Sequence, residues 1–332
     1  MGDVIGEDGT QPIPSQQRDD DVGGSTTLDI HTMALDTTQE KSCADYFLRP
    51  ATLSPMRLVF DFDGTITQHD TIGELAQSAI RRKKHQTQRD LQPAWDDAVR
   101  KYLQDHQSYT ANFTPPESER RTVEEEERFL AGLRPIEEAS LTRVSHSGLL
   151  AGLEKSDLIQ MGMEAVSTGR VGMTEGCQDL LEEALRGGAK VDVLSVNWSK
   201  SFIEGVLHKH AGGVNVVAND VSEDGSIHGP SSCTPPGIMT ARDKVRAFRR
   251  IVGEDQQVVY FGDSATDLTC LLLCRGIVLA RDKESSSLLK TLSRIGTDVP
   301  HVGSAQDHTD KRLFWARNFR EVMQSGVLDA TT

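Results

Sequence analysis

Two short runs of this chain place carboxylates where they can share one ligand. The first, DFDGTIT at residues 61–67, sets Asp61 and Asp63 two positions apart behind a short apolar run. On an extended backbone, side chains two apart leave the same face. Gly64 permits a tight turn straight after the pair, and Thr65 adds a hydroxyl. The second run, GDSATD at 262–267, follows the apolar run VVYF and opens a helical pattern. It puts Asp263 in a turn and Asp267 four residues on, in the first helical turn. A calcium loop does not fit, because its D-x-D-x-D-G register and distal Glu are missing. Four carboxylates at one place repel each other strongly unless a cation lies among them. Hard oxygen ligands that leave room for waters and a phosphate suit Mg²⁺. Ser195, at the end of KVDVLS, offers a hydroxyl to an anion. Lys244, in ARDKVRAF, can offset the charge of both a phosphate and a carboxylate nucleophile.

These residues converge only if the right elements carry them. Short apolar runs at Arg57–Phe60, Lys190–Ser195, Val214–Ala218, Gln257–Phe261 and Gly276–Ala280 read as strands buried on both faces. Helical patterns lie between them, at Cys177–Arg186, Lys200–Lys209, Ala241–Val252 and Asp267–Cys274. Strands alternating with helices predict an α/β fold with a Rossmann-like parallel sheet. Ligands of such sheets bind at the carboxyl ends of the strands, where Asp61, Asp63, Ser195, Asp263 and Asp267 would all lie. Residues 70–172 break the alternation with helical patterns at Thr71–Arg82, Pro93–Gln104, Glu117–Leu133 and Pro135–Val144. The expected domains are therefore an α/β core over 56–69 and 173–315 and an inserted helical domain over 70–172.

Composition narrows the partners. The 332 residues carry 36 basic and 50 acidic side chains, a net charge of −14. Such a chain gains nothing from the phosphate attraction behind non-specific nucleic-acid binding, so neither nucleic acid nor a membrane surface is expected as a partner. Residues 1–50 hold ten acids and three bases, with few large apolar residues, and read as a disordered acidic tail. No apolar run approaches a membrane helix, and no secretory or transit pattern opens the chain. Five scattered cysteines, at 43, 177, 233, 270 and 274, show no zinc spacing and fit a reducing compartment, the cytosol or nucleus.

Taken in order, DFDGTIT, the Ser195 strand end, Lys244 and GDSATD resemble the four motifs of the haloacid dehalogenase superfamily. The likeness spans residues 56–300, and the insert is similar to the family's C1 cap. VLSVNWSKSFIEGVL and GDSATDLTCLLLCRGIVLARD look like the phosphoserine-phosphatase-like branch, in particular the thiamin monophosphate phosphatase domain of plants and related fungal hydrolases. The resemblance implies a Mg²⁺-dependent phosphatase acting on a small phosphoester. Asp61 would be the nucleophile, forming an aspartyl-phosphate, and Asp63 the general acid and base. Asp61, the Asp63 carbonyl and Asp263 would hold the metal, with Asp267 in direct or supporting contact. Thr65, Ser195 and Lys244 would bind the phosphate oxygens. An acid at position 63 sets the chain apart from the family's dehalogenases.

In one place the likeness fails. Phosphoserine phosphatases follow the motif-two Ser with Gly-Gly, whereas Val196-Asn197 follow Ser195 here. Asn197 either helps to orient a ligand or caps the next helix. In the insert, Arg81-Arg82-Lys83-Lys84 reads as a solvated helix end and Glu124–Glu127 as an exposed helical face. Trp95, Tyr102, Tyr109 and Phe113 are expected to pack the insert's core. A phosphotransferase or phosphomutase using the same site, and a non-catalytic binding protein, are the competing readings. Oligomeric state is not legible.

Overall fold

The apolar runs assemble into one six-stranded parallel sheet with helices on both faces. The protein is described by a computed structural model that covers residues 56–210, 212–230, 237–255 and 257–329; the tail expected over residues 1–50 lies outside the described residues. The strands are β1 (Arg57–Phe60), β2 (Lys190–Leu194), β3 (Val214–Val217), β4 (Asp220–Val221), β5 (Ile227–His228), β6 (Val258–Gly262), β7 (Arg275–Leu279) and β8 (Leu313–Ala316). The helices are α1 (Ile72–Thr87), α2 (Gln92–Asn112), α3 (Val123–Gly132), α4 (Arg134–Ser147), α5 (Lys155–Ser167), α6 (Cys177–Arg186), α7 (Lys200–Val206), α8 (Ala241–Val252), α9 (Leu268–Leu273), α10 (Ser287–Arg294) and α11 (Phe319–Ser325).

The sheet runs β3-β2-β1-β6-β7-β8, and β4 and β5 form a separate antiparallel pair. The chain moves outward from β1 through β2 to β3, crosses back to β6, and then runs the other way. That reversal puts a crevice at the carboxyl ends of β1 and β6. Phe60 stands opposite Val193 on one side and Phe261 on the other. Its ring stacks on Phe261 with centroids 4.5 Å apart, and Phe319 packs at an angle against both. Leu58, Val59 and Phe60 are wholly buried, as a strand covered by helices on both faces requires. This apolar floor leaves Asp61, the next residue, little freedom to move.

The insert leaves and rejoins the core through one narrow link. Gln68 N donates to Gly172 O at 2.9 Å, and Thr174 N donates to Ile66 O at 2.9 Å. Its helices and the sheet pack as one unit. Pro93 and Pro135 stand in the first turns of α2 and α4, where a missing N–H costs nothing. The helix expected over Glu117–Leu133 is interrupted. Thr122 starts α3 afresh with a capping box, in which its side chain and that of Glu125 satisfy each other's backbone N–H.

The periodicity did not reveal α5, α10, α11, β8 or the β4–β5 pair. Gly162 disguises α5, and packing explains it. A Cβ at Gly162 would lie 2.3 Å from Phe202 O, and one at Gly205 would lie 2.1 Å from Ile159 O. α5 and α7 therefore meet backbone to backbone.

Two expectations about charged runs are corrected. Glu126 is not on an exposed face: it is 4% exposed and takes Arg120 at 2.9 Å and also Arg294 of α10. Glu127 accepts the Thr269 hydroxyl at 2.8 Å. Arg82 and Lys83 are not merely solvated, since they donate to Asp157 and to Ala151 O. Long side chains reach partners far along the chain, which a local charge count cannot show. Tyr109, Phe113 and Phe129 pack together inside the insert, whereas Trp95 meets Trp198 of the core edge-on. No helix among the described residues is long and apolar enough to cross a membrane.

Candidate active site

Three neighbouring strands end in polar residues at one edge of the sheet: β1 in Asp61, β2 in Ser195, and β6 in Asp263 after Gly262. The loop after Asp61 turns sharply, with Gly64 at φ 77°. A side chain at Gly64 would be strained, and its Cβ would lie 2.2 Å from Asp263 Oδ2. Glycine is thus required for motif one and motif four to touch. Thr65 is buried and donates its hydroxyl to Asp263 Oδ1 at 2.8 Å.

Lys244 is the hub. α8 begins with a capping box between Thr240 and Asp243, and the next residue sends its side chain into the site, fully buried. Its ammonium lies 2.5 Å from Asp61 Oδ1 and 2.6 Å from Asp267 Oδ1. Burial works against this cation, but the two carboxylates more than offset it and hold its pKa above the usual range. Asp267 is also held by the Tyr260 hydroxyl at 2.5 Å and by Ser264 through N and Oγ.

Oxygens of Asp61, Asp263 and Asp267 lie within 4.8 Å of one another. Three carboxylates face one ammonium, a deficit of two positive charges. Burial, with Asp267 close by, pushes Asp61 up to about 7. Burial and the charge of Asp61 push Asp263 well above the carboxylate range. Carboxylates pressed upward in this way are those a bound cation would relax. The all-oxygen donor set fits a hard divalent ion.

Asp63 stands slightly apart from that cluster. Its Oδ1 accepts from Thr71 N at 2.8 Å and from Thr71 Oγ1 at 2.6 Å, and its Oδ2 accepts from Asn197 Nδ2 at 2.8 Å. Burial raises it to about 6, helped by the nearby charge of Asp70 and opposed by the Thr71 and Asn197 hydrogen bonds. Asn197 does not cap α7. Ser199 does, accepting from Phe202 N. Ser195 is 1% exposed, and its Oγ accepts from Asn197 N at 3.0 Å.

All the residues singled out from the sequence thus meet at one sheet edge. Sequence reasoning missed Thr71 and Tyr260. Tyr260 reads as one more apolar strand residue. Thr71 reads as an ordinary first residue of a helix.

Comparisons with known proteins agree with this geometry. The model of the haloacid dehalogenase-like hydrolase family matches residues 58–272. A CTO1 family protein of Schizosaccharomyces pombe is 32% identical over 243 residues, which is 69% of this chain and 83% of that protein. The bifunctional TH2 protein of Arabidopsis thaliana is 26% identical over 76% of this chain, a match that covers 44% of the plant protein. Among solved structures, cytosolic 5′-nucleotidase IIIB bound to cytidine shares the fold, with a TM-score of 0.51, 14% identity, and 83% of this chain and 86% of that one covered. With about two thirds of its length inside the family match, this chain belongs to the haloacid dehalogenase-like hydrolase family.

Proposed function

We propose that the protein is a Mg²⁺-dependent phosphomonoester hydrolase that acts on a small phosphorylated metabolite. The observation that carries this reading is the cluster of Asp61, Asp263 and Asp267, with Lys244 paired to Asp61 and Asp267 and with Asp63 two residues beyond Asp61. Asp61 and Asp263, with the Asp63 carbonyl, are the groups to hold the metal. Asp267, whose two oxygens serve Lys244, Tyr260 and Ser264, supports them. When bound, Mg²⁺ screens the anionic phosphate from the anionic nucleophile and steadies the transferring group.

The chain's own residues divide the reaction into two steps. Asp61 attacks phosphorus as the ester P–O bond breaks. Asp63 gives its proton to the departing oxygen, which leaves as an alcohol. Asp63 then takes a proton from water, whose oxygen attacks the aspartyl-phosphate and returns the Asp61 carboxylate and inorganic phosphate. A carboxyl held up to about 6 is suited to both transfers near neutral pH. Lys244, Ser195 and Thr65 line the same strand ends and bind or orient the phosphate oxygens. The helical insert over the crevice favours a small substrate and excludes water during transfer. Free thiols at Cys177, Cys270 and Cys274 suit a reducing compartment such as the cytosol.

The test is release of p-nitrophenol from p-nitrophenyl phosphate by the full chain. Turnover is expected with Mg²⁺, lost with EDTA and lost in Asp61→Asn. No turnover of any phosphoester by well-folded wild-type protein would sink the reading. A panel that includes thiamin monophosphate, phosphoserine, pyridoxal phosphate and a 5′-nucleotide then ranks the substrates.

A further inference from the structure

We propose that Asn197 and Thr71 are positioning residues for the leaving-group proton: together they clamp the Asp63 carboxyl in the orientation that lets it serve the departing ester oxygen. The inference rests on the phosphatase reading and adds to it two residues that act through Asp63.

Both residues give up the structural role their type and place would assign them. Thr71 is the N-cap of α1, yet its side chain accepts no hydrogen bond from the first turn. Threonine at such a position ordinarily takes the N–H of the second or third helical residue. Here the hydroxyl donates to Asp63 Oδ1 at 2.6 Å, while Asp70 accepts from the N–H of Ile72, the first helical residue, at 2.8 Å. Asn197 has no exposed surface and does not cap α7. Its amide is oriented from behind: Ser199 N donates to Asn197 Oδ1 at 3.1 Å, so the NH₂ group must face the other way. There it donates to Asp63 Oδ2 at 2.8 Å and to Thr71 Oγ1 at 3.1 Å. Asn219 Nδ2 in turn holds the Asn197 carbonyl at 3.1 Å.

Each oxygen of Asp63 is therefore tied to a different element, one to the start of the insert and the other to the loop after β2. A carboxyl gripped at both oxygens cannot rotate about its terminal bond without breaking hydrogen bonds. A buried amide is costly unless every group is used. Here the amide connects the scaffold to the one carboxyl that lies outside the metal cluster.

The discriminating measurement is the dependence of rate on the leaving group. Nitrophenolate leaves without a proton, whereas an alkoxide does not. Asn197→Ala and Thr71→Val are expected to lower the single-turnover rate of alcohol release from β-glycerophosphate by about 10- to 100-fold and that of p-nitrophenol by no more than about threefold, because this first step precedes the water attack that both esters share. Thr71→Ser, which keeps the hydroxyl, should restore the glycerophosphate rate. Equal losses on the two esters, or no loss on either, would overturn the clamp while leaving the phosphatase reading intact. Wild-type protein that hydrolyses neither ester would overturn both. Thermal melts accompany each variant. If Asn197→Ala does not fold, the Thr71→Val and Thr71→Ser pair decides alone.

Discussion

Arg134 of the insert grips both carboxylate oxygens of Asp243, at 2.9 and 3.1 Å. Asp243 is 2% exposed, closes the capping box of α8, and directly precedes Lys244. The insert is thus fastened to the turn that aims the hub lysine. Arg294 with Glu126, and Thr269 with Glu127, fasten it again nearby.

Loosening that fastening should reach the chemistry without removing any group that touches substrate. Arg134→Ala is expected to lower stability by about 1–2 kcal/mol, because Asp243 keeps Arg246 and Thr240 as partners. It should also lower kcat a few-fold, with KM rising, as the insert seats less firmly over the crevice. Urea denaturation and steady-state kinetics on the same preparation check both. A variant with wild-type stability and rates would show that the contact is incidental.

The metal-free protein should lose stability as pH rises through the acid range. Burial lifts Asp61 up to about 7 and Asp63 to about 6, so the folded state keeps protons the unfolded chain has shed. Where the folded state binds more protons, the free energy of unfolding falls as pH rises. The loss should run from about pH 4 to about pH 7 and amount to a few kcal/mol. Divalent binding needs the deprotonated ligands, so Mg²⁺ should raise Tm far more at about pH 8 than at about pH 5. Differential scanning fluorimetry across this range measures it. Asp263→Asn should flatten both trends, and a Mg²⁺ effect independent of pH would contradict the carboxylate site.

Gly162→Ala tests the seam between insert and core. The added methyl would meet Phe202 O at 2.3 Å, a contact no side-chain rotation relieves. The two helices must separate, which should cost about 2–3 kcal/mol. Gly169→Ala is not a substitute control, because Gly169 has a positive φ. Gly73→Ala in α1, which meets nothing within 4 Å, is the proper one and should be neutral or slightly stabilising. Chemical denaturation of the two variants separates crowding from helix propensity. Equal stability would refute the close-packed seam.

How much was legible follows from how local each feature is. Asp61, Asp63, Asp263 and Asp267 could be placed from the sequence because they follow the ends of just two strands, β1 and β6, and a strand end is a local property of apolar runs and turn residues. The parallel sheet followed from the alternation of those runs with helices, and the charge deficit followed from the residue types themselves. What the sequence could not convey is whom each side chain meets. Asn197 finds Asp63 134 residues away, and Arg134 finds Asp243 109 residues away. Glu126 looks like one more exposed acid until Arg120 and Arg294 enclose it. Gly162 looks like a helix breaker until a second backbone lies against it. The amino-acid sequence by itself determined which chemical groups gather at the sheet edge. Only the tertiary structure decided which of them hold one another, because that depends on how distant helices pack against the sheet.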